Sequence, residues 1–315
     1  MSAGKPRGAR SRGAHTSRRT TGRDGPRSRE VKDAEALTKT WRSPLVTVTA
    51  ARAPLPIHPP VPLTCNNTKT VVAPREFRDW LGALRDQAEL LRAAGYFVMV
   101  PALMLSLTRE VLSGTGIAYG GQDCAAESES VTGETPASHL ADFGCTCVML
   151  GQQQRRQLRG EDSATVAAKA ARAGEAGLVP VVCAGEAEHC PPAEAAETVA
   201  TQVRLVMDQL PATAPLVVLY EPHWASPAHQ AADARHVGAV QRGLDALRAG
   251  RPGVVRTLYG GAVTPGTWTA LRDGTHLDGL HLGRAGIDAA VRAAVVSEIL
   301  ADPPAGRAGG DGSVS

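Results

Sequence analysis

The sequence predicts an α/β fold, a single closed (β/α)8 barrel, from three observations. Eight short apolar runs recur between about residues 61 and 301 of the 315-residue chain. Most of the runs are separated by Ala-, Leu- and Arg-rich stretches with helical spacing, and this alternation is typical of parallel βαβ units. Eight such units in about 240 residues match a closed barrel better than an open sheet.

The predicted elements follow one another regularly. The strands are Val61–Leu63, Phe97–Val100, Ile117–Tyr119, Thr146–Leu150, Val179–Cys183, Leu216–Leu219, Val254–Leu258 and Gly279–Leu282. The clearest helical stretches are Phe77–Ala94, Ala164–Ala173, Ala193–Leu210 and Asp233–Leu247. Functional side chains of such barrels lie at the carboxyl ends of the strands, so the candidate site is expected there.

The two ends of the chain differ from the barrel in composition. Residues 1–42 carry twelve Lys or Arg and four Asp or Glu without apolar periodicity, which predicts a disordered leader. A nucleic-acid-binding arm is the alternative, and it is disfavoured because the charges are not interleaved with aromatic residues. Residues 43–60 are Pro-rich, as in an extended linker. The predicted organisation is a disordered leader (1–58), the barrel (59–301) and a disordered tail (302–315).

The remaining composition favours a cytoplasmic protein. The six cysteines show no paired CxxC spacing, so they are expected to be reduced and packed as small apolar groups. A metal or redox role for Cys145-x-Cys147 is the alternative. No apolar run approaches the ~18 residues of a membrane span, and no hydrophobic stretch follows the twin arginine Arg18-Arg19. We therefore expect no contact with a membrane.

The sixth predicted strand ends in one acid, Glu221, within Tyr220-Glu221-Pro222-His223-Trp224. A strand that delivers a single carboxylate to its carboxyl end is how a barrel enzyme presents a general base. The alternative is a buried strand with a chance acid.

Glycines follow the last two predicted strands, at Gly260-Gly261 and at Gly283. Turns of this kind let backbone amides approach a phosphate, and barrels commonly bind phosphate between these two loops. Asn67 and Lys69 follow the first predicted strand, and Gln152 follows the fourth.

With these segments in one order, the chain resembles the triosephosphate isomerase family over residues 61–300. The matching motifs are Asn67-Thr68-Lys69, Gly121-Gln122-Asp123-Cys124, Thr132-Gly133-Glu134, Asp142-Phe143-Gly144-Cys145, Arg155-Arg156, Gly160-Glu161, Cys183-Ala184-Gly185-Glu186, the Glu221 motif, Tyr259-Gly260-Gly261 and Asp278-Gly279-Leu280. The resemblance implies a TIM barrel. It also implies an aldose–ketose isomerase that interconverts glyceraldehyde 3-phosphate and dihydroxyacetone phosphate through an enediolate.

The resemblance also implies roles for particular residues. Glu221 would be the base, as in the family's pairing of a glutamate base with a neutral histidine electrophile. Lys69 would supply positive charge, and Asn67 would orient the substrate. Backbone at Gly260, Gly261 and Gly283 would surround the phosphate. The loop Thr132–Glu134 would enter a second subunit, which implies a homodimer. No metal or cofactor is needed for this chemistry.

Three departures from the family pattern lead us to expect slow or altered activity. Gln152 occupies the histidine position, where an amide can donate a hydrogen bond but barely titrates. Ser226-Pro227 predicts a helix start where the family has a mobile lid. Leu282-Gly283-Arg284 is closer to relatives that act on other short sugar phosphates, including four-carbon ones. Arg284 is either a phosphate ligand or a solvent-facing side chain.

The functional prediction is therefore a slow isomerase of three- or four-carbon sugar phosphates, with Glu221, Lys69 and Gln152 as catalytic residues. The alternative is a catalytically silent paralogue that binds a sugar phosphate or a protein partner. Among the remaining histidines, His223 is expected to be packed, and His281 could face either the barrel interior or the helices.

Overall fold

The computed structural model describes residues 53–58, 61–127, 131–225 and 230–304. Within these ranges eight parallel strands close into a barrel in chain order, β1 pairing with β2 and with β8. The strands are Leu63–Asn67 (β1), Tyr96–Val100 (β2), Ala118–Gly121 (β3), Cys147–Leu150 (β4), Val179–Ala184 (β5), Leu216–Tyr220 (β6), Val255–Tyr259 (β7) and Gly279–His281 (β8). The predicted α/β (β/α)8 barrel is confirmed.

Helices surround the barrel. They are Pro74–Asp86 (α1), Ala88–Ala93 (α2), Leu105–Leu112 (α3), Ala137–Asp142 (α4), Gln153–Arg159 (α5), Ser163–Glu175 (α6), Pro192–Gln209 (α7), Ala234–Arg248 (α8), Thr267–Arg272 (α9) and Ala289–Ala301 (α10). Two short 3₁₀ turns, Ala102–Met104 and Gly283–Gly286, follow β2 and β8. The side-chain carboxylates of Asp162 and Asp233 cap α6 and α8 by accepting backbone N–H bonds.

Two predicted elements differ most from the structure. β1 continues to Asn67, because pairing with β2 extends through Asn67 opposite Met99. The predicted helix Phe77–Ala94 is two helices separated at Gln87, whose φ of −100° and ψ of 12° are not helical. The Gln87 side chain accepts from the Arg292 guanidinium and donates to the Ala289 carbonyl. These tertiary bonds hold Gln87 between the two helices.

The hydrophobic core has two layers, one inside the barrel and one between the barrel and the helices. Side chains alternate between the layers along each strand, as the pleat requires. On β6, Val217 and Leu219 fill the interior, whereas Leu216 and Val218 pack against the helices. This alternation continues past the strand end and turns the next residue, Glu221, toward the barrel mouth.

Residues 53–57 close the amino-terminal end of the barrel, and we call them the base segment. Leu55 and Ile57 are buried against the interior layer, although both lie within the predicted leader. Arg256 of β7 donates to the Ile57 carbonyl at 2.9 Å and forms a buried ion pair with Asp278. The packed chain therefore begins before residue 59.

The rest of the predicted leader and most of the predicted tail lie outside the described residues. Within the described tail, the Asp302 carbonyl accepts from the Trp268 indole at 2.8 Å. Across the described ranges, no helix combines the length and apolar character required to cross a bilayer.

Candidate active site

Glu221 is the carboxylate at the centre of the barrel mouth. Its backbone N–H donates to the Ala184 carbonyl at 2.9 Å, which fixes the residue beyond the end of β6. The side chain is buried, with 4% of its surface exposed. Burial raises the pKa of Glu221 above its usual value, while the Lys69 charge and a hydrogen bond from Gln152 act in the opposite direction.

Gln152 lies directly against this carboxylate. Its Nε2 donates to Glu221 Oε2 at 3.1 Å and also lies 3.2 Å from Cys183 Sγ. Its Oε1 is buried and has no hydrogen-bond partner among the described residues. The amide precedes α5 and follows Gly151, whose φ of 71° makes the sharp turn out of β4.

Lys69, just after β1, has a left-handed backbone conformation, with φ of 48°. Its backbone N–H donates to Asn67 Oδ1 at 2.7 Å, which holds this turn. Its Nζ donates to Gln154 Oε1 at 3.2 Å, so a neutral amide contacts the ammonium. Such strained backbone at a non-glycine residue is typical of functional sites.

A second amide braces the Lys69 turn. Gln122, which follows β3, donates through Nε2 to the Lys69 carbonyl and to Thr68 Oγ1, both at 3.0 Å. Asn67 Nδ2 lies 3.0 Å from Met149 Sδ, which fixes the other face of the turn. In the sequence, only its place in a matched motif distinguishes Gln122.

The two glycine turns lie after β7 and β8 as predicted. Gly260 and Gly261 are buried, and a Cβ on Gly261 would lie 2.4 Å from Tyr259 Oη, so no larger residue fits. Gly283 has a φ of 52° and begins a 3₁₀ turn. Arg284, in the same turn, is exposed.

His281 is the last residue of β8 and faces the barrel interior. Its Nδ1 lies 3.1 Å from where a Cβ of Gly260 would be, and Leu219 of the interior layer contacts the same point. The two orientations that the sequence left open are thereby resolved in favour of the interior. Burial, with a smaller contribution from Lys69, lowers the pKa of His281 to about 3.

A buried ion network supports the helix behind Gln152. Arg155 Nε bonds to both Asp123 and Glu161 at 2.8 Å, and Lys169 Nζ bonds to Glu161 at 2.8 Å. Lys169 also contacts Asp123 at 2.9 Å. The network ties α5 to the β3 loop and to α6, so Arg155 has a structural role.

A second network surrounds Glu186, outside the mouth. The carboxylate accepts from Trp224 Nε1 at 2.8 Å and from Tyr220 Oη at 3.0 Å, and it contacts His236 Nε2 at 3.0 Å. The His189 ring packs edge-on against Trp224 at 4.6 Å. His223 is buried, as expected of a packed side chain, and burial lowers its pKa to about 4.

A cavity of about 740 Å³ opens beside the mouth. Its lining includes Asn67, Lys69, Gln152, Glu134 and Leu158. No group of three or more metal-binding side chains occurs among the described residues. The predicted helix start at Ser226-Pro227 lies outside the described residues, and the next described helix, α8, begins at Ala234.

A (β/α)8 barrel whose mouth combines a buried carboxylate, an ammonium and an amide donor has the architecture of a barrel enzyme with an acid–base site. The family described as triosephosphate isomerase matches residues 62–299, and the chain belongs to this family. The resemblance seen in the sequence is thereby confirmed.

Individual relatives agree with the family match. A triosephosphate isomerase from Cupriavidus necator is 39% identical over 203 residues, which cover 61% of this chain and 82% of the relative. One from Thermus thermophilus is 33% identical over 238 residues, covering 72% and 94%. The crystal structure of triosephosphate isomerase from Bartonella henselae matches with a TM-score of 0.64 and 27% identity, over 76% of this chain and 99% of that one.

Proposed function

We propose that the protein is an aldose–ketose isomerase that interconverts glyceraldehyde 3-phosphate and dihydroxyacetone phosphate, or a four-carbon homologue, through an enediolate. The observation that carries this proposal is the shared mouth, in which buried Glu221 bonds to Gln152 and is acted on by the Lys69 charge. The relatives named triosephosphate isomerase support a phosphorylated sugar as the substrate.

Glu221 is the base. Its raised pKa brings the carboxylate closer in proton affinity to the task of removing a proton from a carbon beside a carbonyl. The same carboxyl group then returns the proton to the neighbouring carbon. Lys69 offsets the negative charge that develops on the two substrate oxygens.

The phosphate lies at the glycine turns. The N–H of Gly260 already bonds to the Tyr220 carbonyl at 2.9 Å, so the candidate donors are the backbone N–H groups near Gly261 and Gly283. Arg284 is exposed at the adjacent 3₁₀ turn and can reach a phosphate from the solvent side.

The reaction is slow because the Gln152 amide does not titrate and its NH₂ group is directed at Glu221 Oε2 and at two sulfur atoms, Met149 Sδ and Cys183 Sγ. Its amide must turn from the carboxylate to the substrate oxygen before it can stabilise the enediolate. A missing or weakened donor of this kind reduces the rate by about 10²–10³.

The direct test is a coupled isomerase assay on three- and four-carbon sugar phosphates. We expect turnover by the wild type and loss of turnover in Glu221→Gln, with exposed Glu194→Gln on α7 as the control for preparation and folding. Wild-type turnover no higher than that of Glu221→Gln on every substrate would refute the proposal.

The second candidate is a paralogue that binds a sugar phosphate or a protein partner without turnover. The observation that favours it is the bond from Gln152 to Glu221, because the group that contacts the proposed base is an amide that does not titrate. Calorimetry would then detect binding of a sugar phosphate while the assay detects no product. Recovery of full activity by Gln152→His alone would exclude this candidate.

We also propose a homodimer in which the loop Thr132–Glu134 of one subunit enters the cavity of the other. The loop is exposed, and exposed apolar side chains lie near the cavity, among them Leu158 with 70% of its surface accessible. Light scattering should give twice the chain mass for the wild type, and Leu158→Arg should lower it. Leu205→Arg, an exposed apolar position on α7, is the matched control.

A cytoplasmic location is part of the proposal. Cys65, Cys147 and Cys183 stand as thiols within the barrel, and unpaired cysteines are typical of reducing compartments.

A further inference from the structure

His281 lies in the same row of the barrel as the proposed base. Strand pairing places Tyr220 opposite Tyr259 and Tyr259 opposite Leu280, so the next residues along these strands, Glu221, Gly260 and His281, form one row. Two strand spacings of about 4.8 Å separate the outer members of this row. Gly260, between them, contributes no side chain, and His281 Nδ1 occupies the space where its Cβ would point.

The imidazole is buried but unsatisfied. Only 1% of His281 is exposed, and neither ring nitrogen has a hydrogen-bond partner within the described part of the chain. Buried polar atoms without partners are rare in native proteins and are destabilising, so each one calls for an explanation. Another buried histidine, His236, has its partner in Glu186.

The ring is also held in its neutral form. Burial and the Lys69 charge lower the pKa of His281 to about 3, so near neutral pH the ring carries one N–H donor and one free acceptor nitrogen. A neutral imidazole is a donor that can exchange its proton, whereas the Gln152 amide cannot.

We propose that His281 is a further catalytic residue, whose ring bonds the substrate's carbonyl and hydroxyl oxygens and supplies the proton exchange that Gln152 cannot perform. This inference rests on the proposed isomerase function. The substrate's oxygens would be the missing partners of the two ring nitrogens, on the opposite side of Glu221 from Gln152.

Every proton that moves in this step is accounted for. Glu221 removes a proton from the carbon that bears the hydroxyl, and the carbonyl oxygen becomes an enediolate oxygen. A ring N–H of His281 gives its proton to that oxygen and takes the proton of the neighbouring hydroxyl, so the ring ends with the protons it began with. Glu221 then returns its proton to the other carbon.

One substitution, His281→Leu, separates a packing role of the ring from a catalytic role, because stability and kcat respond to it differently. Leucine is apolar and similar in bulk to histidine, so His281→Leu removes two unsatisfied nitrogens and should leave the urea unfolding midpoint unchanged or higher. If His281 acts on the substrate, the same substitution lowers kcat by about 10²-fold with little change in KM. His281→Gln, which keeps a donor and an acceptor, should retain more of the activity than His281→Leu.

A second experiment detects the contact between His281 and a bound ligand without requiring turnover. Histidine labelled with ¹⁵N is followed by NMR while 2-phosphoglycolate or inorganic phosphate is added, and the His281 signals are assigned by their loss in His281→Gln. We expect these signals to shift with 2-phosphoglycolate and not with phosphate alone, while the His236 signals stay unchanged.

The two experiments separate the two proposals. Shifted His281 signals in a protein without turnover would refute the isomerase function and retain His281 as a ligand contact. A kcat of His281→Leu within about twofold of an active wild type would overturn the catalytic role and leave the isomerase function standing. Unshifted His281 signals would overturn the contact itself.

Discussion

The most informative single substitution is Glu221→Gln, because it should damage function and improve stability together. It keeps the size of the side chain and an oxygen that can accept from Gln152 Nε2, now 3.1 Å away. It removes the buried negative charge. Loss of a general base costs about 10²–10⁴ in rate, so turnover should fall by at least the lower value.

The gain in stability follows from the direction of the Glu221 pKa. The pKa is raised although Lys69 and Gln152 both lower it. Burial therefore destabilises the charged carboxylate by more than these two partners stabilise it. Relieving such a site typically stabilises a protein by about 0.5–2 kcal/mol. For a barrel of this size each kcal/mol raises Tm by roughly 2–4 °C.

The sign of the pH dependence is fixed by the same shift. A folded pKa above the ordinary value of 4.5 means that the folded protein binds this proton more tightly than the unfolded chain does. The destabilisation is therefore absent below 4.5, grows as pH rises toward the folded pKa, and is constant above it.

The assay is urea unfolding of wild type and Glu221→Gln at a series of pH values, alongside the coupled isomerase assay. The two unfolding free energies should coincide at the acid end and separate toward neutral pH, with the variant more stable. A variant that is less stable than wild type at neutral pH would show that the Glu221 charge is favourably paired, and the account of the base would be wrong.

Three further predictions concern the Gln152 amide and the amino-terminal end of the barrel. Gln152→Ala should lower kcat by about 10² in steady-state assays, and a change under threefold would show that its amide does not act on the substrate. Arg256→Met removes the buried charge that pairs with Asp278 and should cost about 3–5 kcal/mol in urea unfolding; a loss under 1 kcal/mol would contradict this. A chain starting at Ala53 should be more stable than one starting at Pro59 by about 1.5–3 kcal/mol for each of the two buried apolar side chains in the base segment, and equal midpoints would refute its role.

Much of the fold is encoded in local sequence patterns. Each apolar run overlaps a strand, the first only at Leu63, because a strand of a (β/α)8 barrel is covered on both faces and needs continuous apolar sequence. The break at Gln87 could not be read from the sequence, since it depends on Arg292, about 200 residues away. The base segment was also hidden, because only two of its residues, Leu55 and Ile57, are apolar enough to be buried and its prolines suggest a linker.

The candidate site was predictable where it follows from strand order and less so where it depends on side-chain direction. The positions of Glu221, Lys69 and Gln152 at strand ends follow from the alternation of strands and helices. The bond from Gln152 to Glu221 does not, because it spans 69 residues and depends on the packing of α5. The interior orientation of His281 depends on the register of β8 against its neighbours, which the sequence alone leaves open.

The most direct test of the isomerase account follows the substrate proton itself. Dihydroxyacetone phosphate is incubated in D₂O with the protein, and the deuterium content of its carbon-bound positions is measured by NMR. Wild type should introduce deuterium beside the carbonyl, and Glu221→Gln should do so only at the rate of buffer. Equal rates of deuterium uptake with wild type and with buffer alone, for this ketose and for its four-carbon homologue, would contradict it.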